Sequence, residues 1–351
     1  LQFLLSASVT CIADALPAGV AFGDTIALDT KHIIAWVKEN NPKAFVRNRF
    51  DKRRRPKGDP DCRLGCKHKA NPLPEESTDG GSATPAGEGH PASSILPTLQ
   101  EGEYYWGYAS GIVVTKLKGP DEQRLAEVVL AELTQPFDRS DQSYFPPLMQ
   151  RTEATLGRKP RFGALDKAYD AFYVYAYFHE AGGFAAVPWA DRADHRKRFT
   201  PDGLPLCAAG LPMPRKSTFW KRSHCLVPHE RARYCCPFSV EGDPALACPI
   251  HHPHADKEDG CITTLPTSIG NRVRHELDRE SDEFTRIYNQ RSACERINSQ
   301  ALALGIERPH LRNGRSIANI DTLIYVLINL HALTRIRTRL ASGGNGPMPV
   351  I

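Results

Sequence analysis

Three acidic residues stand where a carboxylate needs a reason to be. Asp29 interrupts the apolar, strand-like run Thr25-Ile26-Ala27-Leu28-Asp29-Thr30, where an ionised side chain is costly unless it binds something. Asp166 closes a second short run, Arg161-Phe162-Gly163-Ala164-Leu165-Asp166, which reads directly into Lys167-Ala168-Tyr169-Asp170. Glu295 lies in a long helical segment, where Tyr288, Arg291 and Glu295 are spaced by three and four positions and so share a face. Two strand aspartates and a helix glutamate are the groups that two-metal phosphodiester chemistry requires. Magnesium, with manganese as its substitute, suits such all-oxygen ligands. Each residue has a plainer reading: Arg291 and Glu295 can be a surface pair at i,i+4, and Asp24 competes with Asp29. Asp170 competes with Asp166, although its position before an expected helix fits an N-cap.

Other clusters point elsewhere. The basic run Lys52-Arg53-Arg54-Arg55 either tracks phosphates, with a salt-dependent contribution, or is a solvated loop. Trp106 and Tyr108 read as core or sheet residues rather than base-stacking platforms. Cys225, Cys235, Cys236, Cys248, His251, His252, His254 and Cys261 crowd one region. Thiolates and imidazoles suit zinc, but the recurring Cys-x-x-Cys knuckle is absent, so reduced cysteines in a loop-rich segment are the expectation and structural zinc the alternative.

The 351 residues can bury a full core, and the formal charge of +5 is compatible with nucleic acid without requiring it. Ten cysteines without framework spacing fit a reducing, intracellular compartment. No stretch is expected to supply the roughly 20 apolar residues that span a bilayer. The abrupt apolar start predicts a missing N-terminal part, with residues 1–22 the remnant of an upstream helical region.

The elements that must position the three carboxylates follow from pattern. After the Asp29 strand, a basic and Pro/Gly-rich insertion is expected over about 47–100. Two β-rich runs, 107–115 and 125–133, flank a Gly-Pro turn and predict a hairpin. Next come a helix over 143–157, the Asp166 strand, a helix over 171–181 and a strand over 183–188. Residues 190–280 lack periodicity and read as a Cys/His/Pro-rich insertion before the Glu295 helix. A core part over 281–340 and a tail over 341–351 complete the chain. The stretch 317–336 is helical in spacing, with Leu323, Val326, Leu327 and Leu330 expected to face the core. This order predicts an α/β, ribonuclease-H-like mixed sheet flanked by helices, built from 23–189 and 281–340. In it the first and fourth strands are neighbours, which would bring Asp29 and Asp166 together.

The same residues carry a resemblance. Tyr288, Arg291 and Glu295 resemble the Tyr-Arg-Glu signature of insertion-sequence transposases of the DDE type. Leu165-Asp166-Lys167-Ala168-Tyr169-Asp170 is similar to their second-aspartate motif, and Ala27-Leu28-Asp29-Thr30-Lys31-His32 to their first. Similarity continues through Gly203-Leu204-Pro205-Leu206-Cys207, Ala209-Gly210-Leu211-Pro212-Met213 and Gly305-Ile306-Glu307-Arg308-Pro309, and covers most of residues 20–336. Where the signature has a Lys seven positions after the Glu, this chain has Leu302. The resemblance implies metal-dependent cleavage and strand transfer at the ends of a mobile element. Its site would be Asp29, Asp166 and Glu295 as catalytic and metal-binding residues, with Tyr288, Arg291 and Lys52 to Arg55 on DNA. Double-stranded DNA and a second copy of the chain would be its partners, in a bacterial, nucleoid-associated cytoplasmic setting without a membrane. A catalytically inactive DNA-binding relative, or a nuclease without strand transfer, is the competing expectation.

Overall fold

The computed structural model describes residues 1–17, 19–68, 102–118, 124–190, 197–238, 248–250, 252 and 260–341. Helix α1 (Gln2–Ala15) precedes β1 (Thr25–Ile34), β2 (Arg63–His68), β3 (Gly102–Lys118) and β4 (Arg124–Pro136). A 3-10 turn over Asp141–Tyr144 enters α2 (Phe145–Leu156), followed by β5 (Phe162–Leu165), a 3-10 turn over Lys167–Tyr169, α3 (Phe172–Glu180) and β6 (Phe184–Ala186). The next group is β7 (Arg215–Lys221), β8 (His229–Tyr234), β9 (Thr263–Pro266) and α4 (Ile269–Glu276). The last is α5 (Asp282–Tyr288), a 3-10 turn over Asn289–Arg291, α6 (Ser292–Ala303) and α7 (Gly314–Ala341).

The main sheet runs β2-β3-β1-β5-β6, with β4 also on β3. It is mixed: β3 is antiparallel to β1, β2 and β4, whereas β1, β5 and β6 are parallel. Gly107 pairs with Ile34 on one side and Arg63 on the other, so β2 and β4 occupy the far edge of β3 in turn. The expected hairpin and the expected adjacency of the two aspartate strands are both present. Its Gly-Pro turn, Gly119-Pro120, lies outside the described residues.

Strand alternation sorts the core into two layers. Ile26, Leu28 and Leu165 face a cluster completed by Leu148 and Met149 of α2 and Val174 and Phe178 of α3. Ala27, Ile33 and Ala164 face the opposite cluster, with Ala293, Cys294 and Ile297 of α6 and Ile317, Ile324 and Ile328 of α7. Asp29 and Asp166 continue the alternation of Ala27 and Ala164, which puts both on the α6 side.

Several expectations change. The expected insertion over 47–100 contributes β2 to the sheet, while residues 69–101 lie outside the described part. Residues 1–22 hold a helix integral to the fold, since Leu5, Val9 and Ile12 are buried. Part of 190–280 folds as the three-stranded sheet β7-β8-β9. The long segment bearing Glu295 is two helices joined by a 3-10 turn.

Helix α7 buries a different face from the one its leucines mark. Leu323, Leu327 and Leu330 are 40–45 % exposed, while Ile317, Ile324, Tyr325, Ile328 and Ile336 are buried together with Asp321, Thr322 and Asn329. The buried face is polar because it meets β4: Asn329 Oδ1 accepts from Val129 N–H and its Nδ2 donates to Val129 O, both at 2.9 Å. These bonds serve a strand whose register shifts opposite Val113 and Val114. By length and composition α7 could cross a membrane, contrary to the sequence expectation, but half of the window that qualifies is buried inside this fold.

Candidate active site

Register assembles the site. Pairing of the parallel strands β1 and β5 ends at Leu28 opposite Leu165, so Asp29 and Asp166 follow side by side. Asp166 leaves the strand and caps the next turn, its Oδ1 accepting from Ala168 N–H at 3.3 Å. From the 3-10 turn that leads into the facing helix α6, Arg291 Nη1 donates to Glu295 Oε1 at 2.8 Å while Nη2 lies 3.6 Å from Asp166 Oδ2. On the same helix Asn298 Nδ2 donates to Asp29 Oδ2 at 3.1 Å. The three carboxylates named from sequence thus surround one guanidinium. Tyr288 stands beside them, stacked on Phe284 with centroids 5.9 Å apart.

The charges show in the proton affinities. Burial pushes Asp29 up to about 6; a backbone hydrogen bond and Arg291 oppose that rise, whereas Asp166 and Asp141 add to it. Burial works against the charge of Arg291, yet Asp29, Asp166, Tyr288 and Glu295 hold its pKa above the ordinary value. Asp141 is a fourth carboxylate that sequence reasoning missed. Thr30 Oγ1 donates to it at 3.0 Å, and burial raises its pKa, with Asp166 contributing. It sits in the polar run Asp138-Arg139-Ser140-Asp141, where no apolar context marks a carboxylate as unusual. Asn298 was legible in principle, three positions beyond Glu295 and so on its face.

The cluster presents oxygen donors, the kind a hard divalent cation takes. It is all oxygen, and Arg291 offsets only one of four negative charges. Around it Tyr169 Oη, Asn298 Oδ1 and Arg291 Nε are buried without hydrogen-bond partners in the protein. In spacing the cluster is organised around the arginine: among the described residues no group of three or more His, Cys, Asp or Glu is arranged to hold a metal as it stands.

The rivals have structural employment. Asp24 pairs with Arg161 at 2.7 Å and Arg158 at 3.4 Å. Asp170 is not the N-cap of α3, a position taken by Ala171. It is buried in a forked pair with Arg274, at 2.6 and 2.5 Å, and accepts from Tyr175 Oη at 2.8 Å. Burial works against that charge, but Arg274 and Tyr175 hold the Asp170 carboxyl below its usual range.

The basic run lies apart. Lys52 to Arg55 are exposed, and Asp51 engages Arg53 at 3.3 Å and Arg54 at 3.9 Å. Their loop is pinned by Trp106 Nε1 donating to Arg49 O at 2.8 Å. Trp106 is six positions along β3 from Ile112, the register partner of Asp29, or about 20 Å at ~3.4 Å per residue. At that end lies a cleft of about 500 Å³ lined by Trp36, Lys38, Arg308, His310 and Arg312, with the Arg312 guanidinium 4.8 Å from the Trp36 ring. Trp106 and Tyr108 are buried, as expected. No protein family, curated protein or solved structure matches the chain.

Proposed function

We propose that the chain is a DDE-type DNA transposase whose ribonuclease-H-like core cleaves and joins DNA through Asp29, Asp166 and Glu295. The observation that carries the reading is the parallel register of β1 and β5, which sets the two aspartates side by side on the face covered by the Glu295 helix. The strand order supports it further, since the mixed sheet runs β3, β1, β5 and β6 with β4 also on β3, an order compatible with a ribonuclease-H-like sheet.

Bound magnesium would activate the attacking hydroxyl and stabilise the leaving oxygen of an in-line displacement. The chain's own residues do the rest. Asp29, Asp166 and Glu295 supply oxygen ligands, and Asn298 orients Asp29 through the bond to its Oδ2. Below about pH 6 a proton competes for the Asp29 carboxylate. Arg291, lying between Asp166 and Glu295, is positioned to turn toward a phosphate once a cation takes over their charge. The basic run and the Trp36 cleft, about 20 Å away, would hold the duplex roughly six nucleotides from the cut at ~3.4 Å per nucleotide.

One observation favours a second reading. Arg291 already neutralises part of the cluster, as it would in a DNA-binding relative that has lost catalysis. A nicking assay on duplex DNA with magnesium or manganese separates the two. Nicking is expected from the parent chain and expected to fall to background in Asp29→Asn, Asp166→Asn and Glu295→Gln, each still folded by circular dichroism. Metal-dependent nicking that persists in all three variants would remove the triad, and DNA binding without nicking by the parent would select the inactive relative. Joining of a cleaved end to target DNA distinguishes a transposase from a simple nuclease.

A further inference from the structure

The cleft at the far end of β1 has more than a grip on duplex DNA requires. Charge alone would serve a phosphate backbone, yet this cleft is concave, encloses about 500 Å³ and carries Trp36 in its wall. Trp36 is 51 % exposed, a large apolar ring left in water just where β1 ends. Beside it lie His310, with ring centroids 5.4 Å apart and planes inclined by 30°, and the Arg312 guanidinium at 4.8 Å. Lys38 and Arg308 complete the basic lining, and none of the described residues that line the cleft is acidic. Glu307, beside Arg308 in the chain, is engaged by Lys31 at 3.1 Å.

Both walls are fixed before any ligand arrives. The Asn40 side chain holds the first: its Nδ2 donates to Ala35 O and Trp106 O, both at 2.7 Å, and its Oδ1 accepts from Trp106 N–H at 2.9 Å. Ala35 N–H donates to Trp106 O at 3.0 Å, so the chain on either side of Trp36 is tied to β3. The second wall is the connection between α6 and α7, which Ile34 N–H joins to β1 by donating to Glu307 O at 2.8 Å. Asn313, at φ of +67°, turns that wall into α7, and its Oδ1 accepts from Ser316 N–H at 2.9 Å. A preformed site loses little affinity to ordering itself.

We propose that the cleft takes one unpaired nucleotide of a DNA strand, with the base stacked on Trp36 and the flanking phosphates on Arg308 and Lys38. The ligand class rests on the DNA-cutting reading, whereas the unpaired base rests on the cleft itself. In a duplex both faces of a base are covered by its neighbours, so an indole set in the wall of a cleft meets a base face only when that base is out of the stack. The volume lies within the ~300–1,000 Å³ of sites that enclose one small ligand, and is too small to admit a duplex. Arg312, exposed on its loop, can shift to the outer face of the base, where a planar guanidinium stacks as it now does on the indole. The cleft then distinguishes a frayed or single-stranded end from an intact duplex.

The test is equilibrium binding by the full chain, without divalent metal, of an oligothymidine and of a blunt duplex of the same length. Trp36→Ala is expected to lose at least about fivefold more affinity for the single strand than for the duplex, the lower end of what one base stack contributes. Trp36→Phe, which keeps a ring, should lose less. Arg308→Ala, at an exposed position, should lower the single-strand salt slope by about 0.7. Equal losses on the two DNAs, no loss, an unchanged slope in Arg308→Ala, or a parent chain that binds duplex but not single strand would overturn the proposal. Circular dichroism checks that each variant is folded, as expected for exposed side chains. Binding read without metal is separate from cutting: a parent chain that nicks nothing yet shows the Trp36 selectivity fails the nuclease reading and keeps this one, and a chain that nicks without that selectivity does the reverse.

Discussion

Asp166 and Asp170 lie four positions apart in one motif, yet the structure gives them different work. Asp166 has a side chain 42 % exposed beside Arg291, whereas that of Asp170 is 1 % exposed and forked onto Arg274. Removing a charge therefore has opposite signatures at the two sites. Asp170→Asn leaves Arg274 without its counter-ion and is expected to cost about 3 kcal/mol of stability, the usual scale for breaking a buried pair. Asp166→Asn is expected to leave the urea midpoint close to that of the parent while abolishing metal-dependent nicking. Denaturation curves of both variants check this, and a parent-like midpoint in Asp170→Asn would show that the forked pair contributes nothing to folding.

Helix α4 shows how one element joins the small sheet to the core. Its Ser268 cap accepts from Gly270 N–H at 3.3 Å. Gly270 lets the helix approach α3 so closely that an added Cβ would lie 2.0 Å from Phe172 O. That approach delivers Arg274 to Asp170 and buries His275 beside the Trp189 and Phe199 rings. His275 Nδ1 accepts from Lys197 N–H at 3.2 Å. Burial pushes the imidazole pKa down to about 4; Arg274, Arg279 and Lys197 act in the same direction and Asp170 against it. Between about pH 6.5 and 4 the unfolded chain thus binds a proton that the folded chain refuses, so stability falls as pH falls through that window. The loss is expected to reach about 3 kcal/mol at most, measured by urea denaturation across pH, and His275→Gln should flatten that part of the profile. An unchanged profile in the variant would show that His275 does not carry the acid sensitivity, because the buried carboxylates Asp29 and Asp141, raised in pKa, act with the opposite sign.

Over the whole molecule the charges are separated by purpose, with an acidic cluster on the sheet and a basic, aromatic surface at the far end of β1. If Lys52, Arg53, Arg54 and Arg55 contact phosphates, replacing all four by Ala should reduce the slope of log affinity against log salt by up to about 3.6. A smaller change, about 1 to 3, is expected because Asp51 already engages two of them. Arg291→Ala should weaken binding with a slope change of at most about 1, since one contact is lost. Filter binding across a salt series reads both, and an unchanged slope in the four-residue variant would make the run a solvated loop.

The sequence by itself determined most of the main sheet's strands and three of the four clustered carboxylates. An aspartate inside Thr25 to Thr30 or at the end of Phe162 to Leu165 is conspicuous, because local burial makes it costly whatever the rest of the chain does. Spacing of three and four likewise put Arg291 and Glu295 on one face. What spacing could not give was direction. The leucines of α7 repeat as regularly as its buried isoleucines, and only the β4 edge, with a backbone that needs Asn329, decided which face turned inward. Asp141 was invisible for a related reason: its partner Thr30 lies far away in sequence, and a side chain's meaning there comes from what the fold sets opposite it.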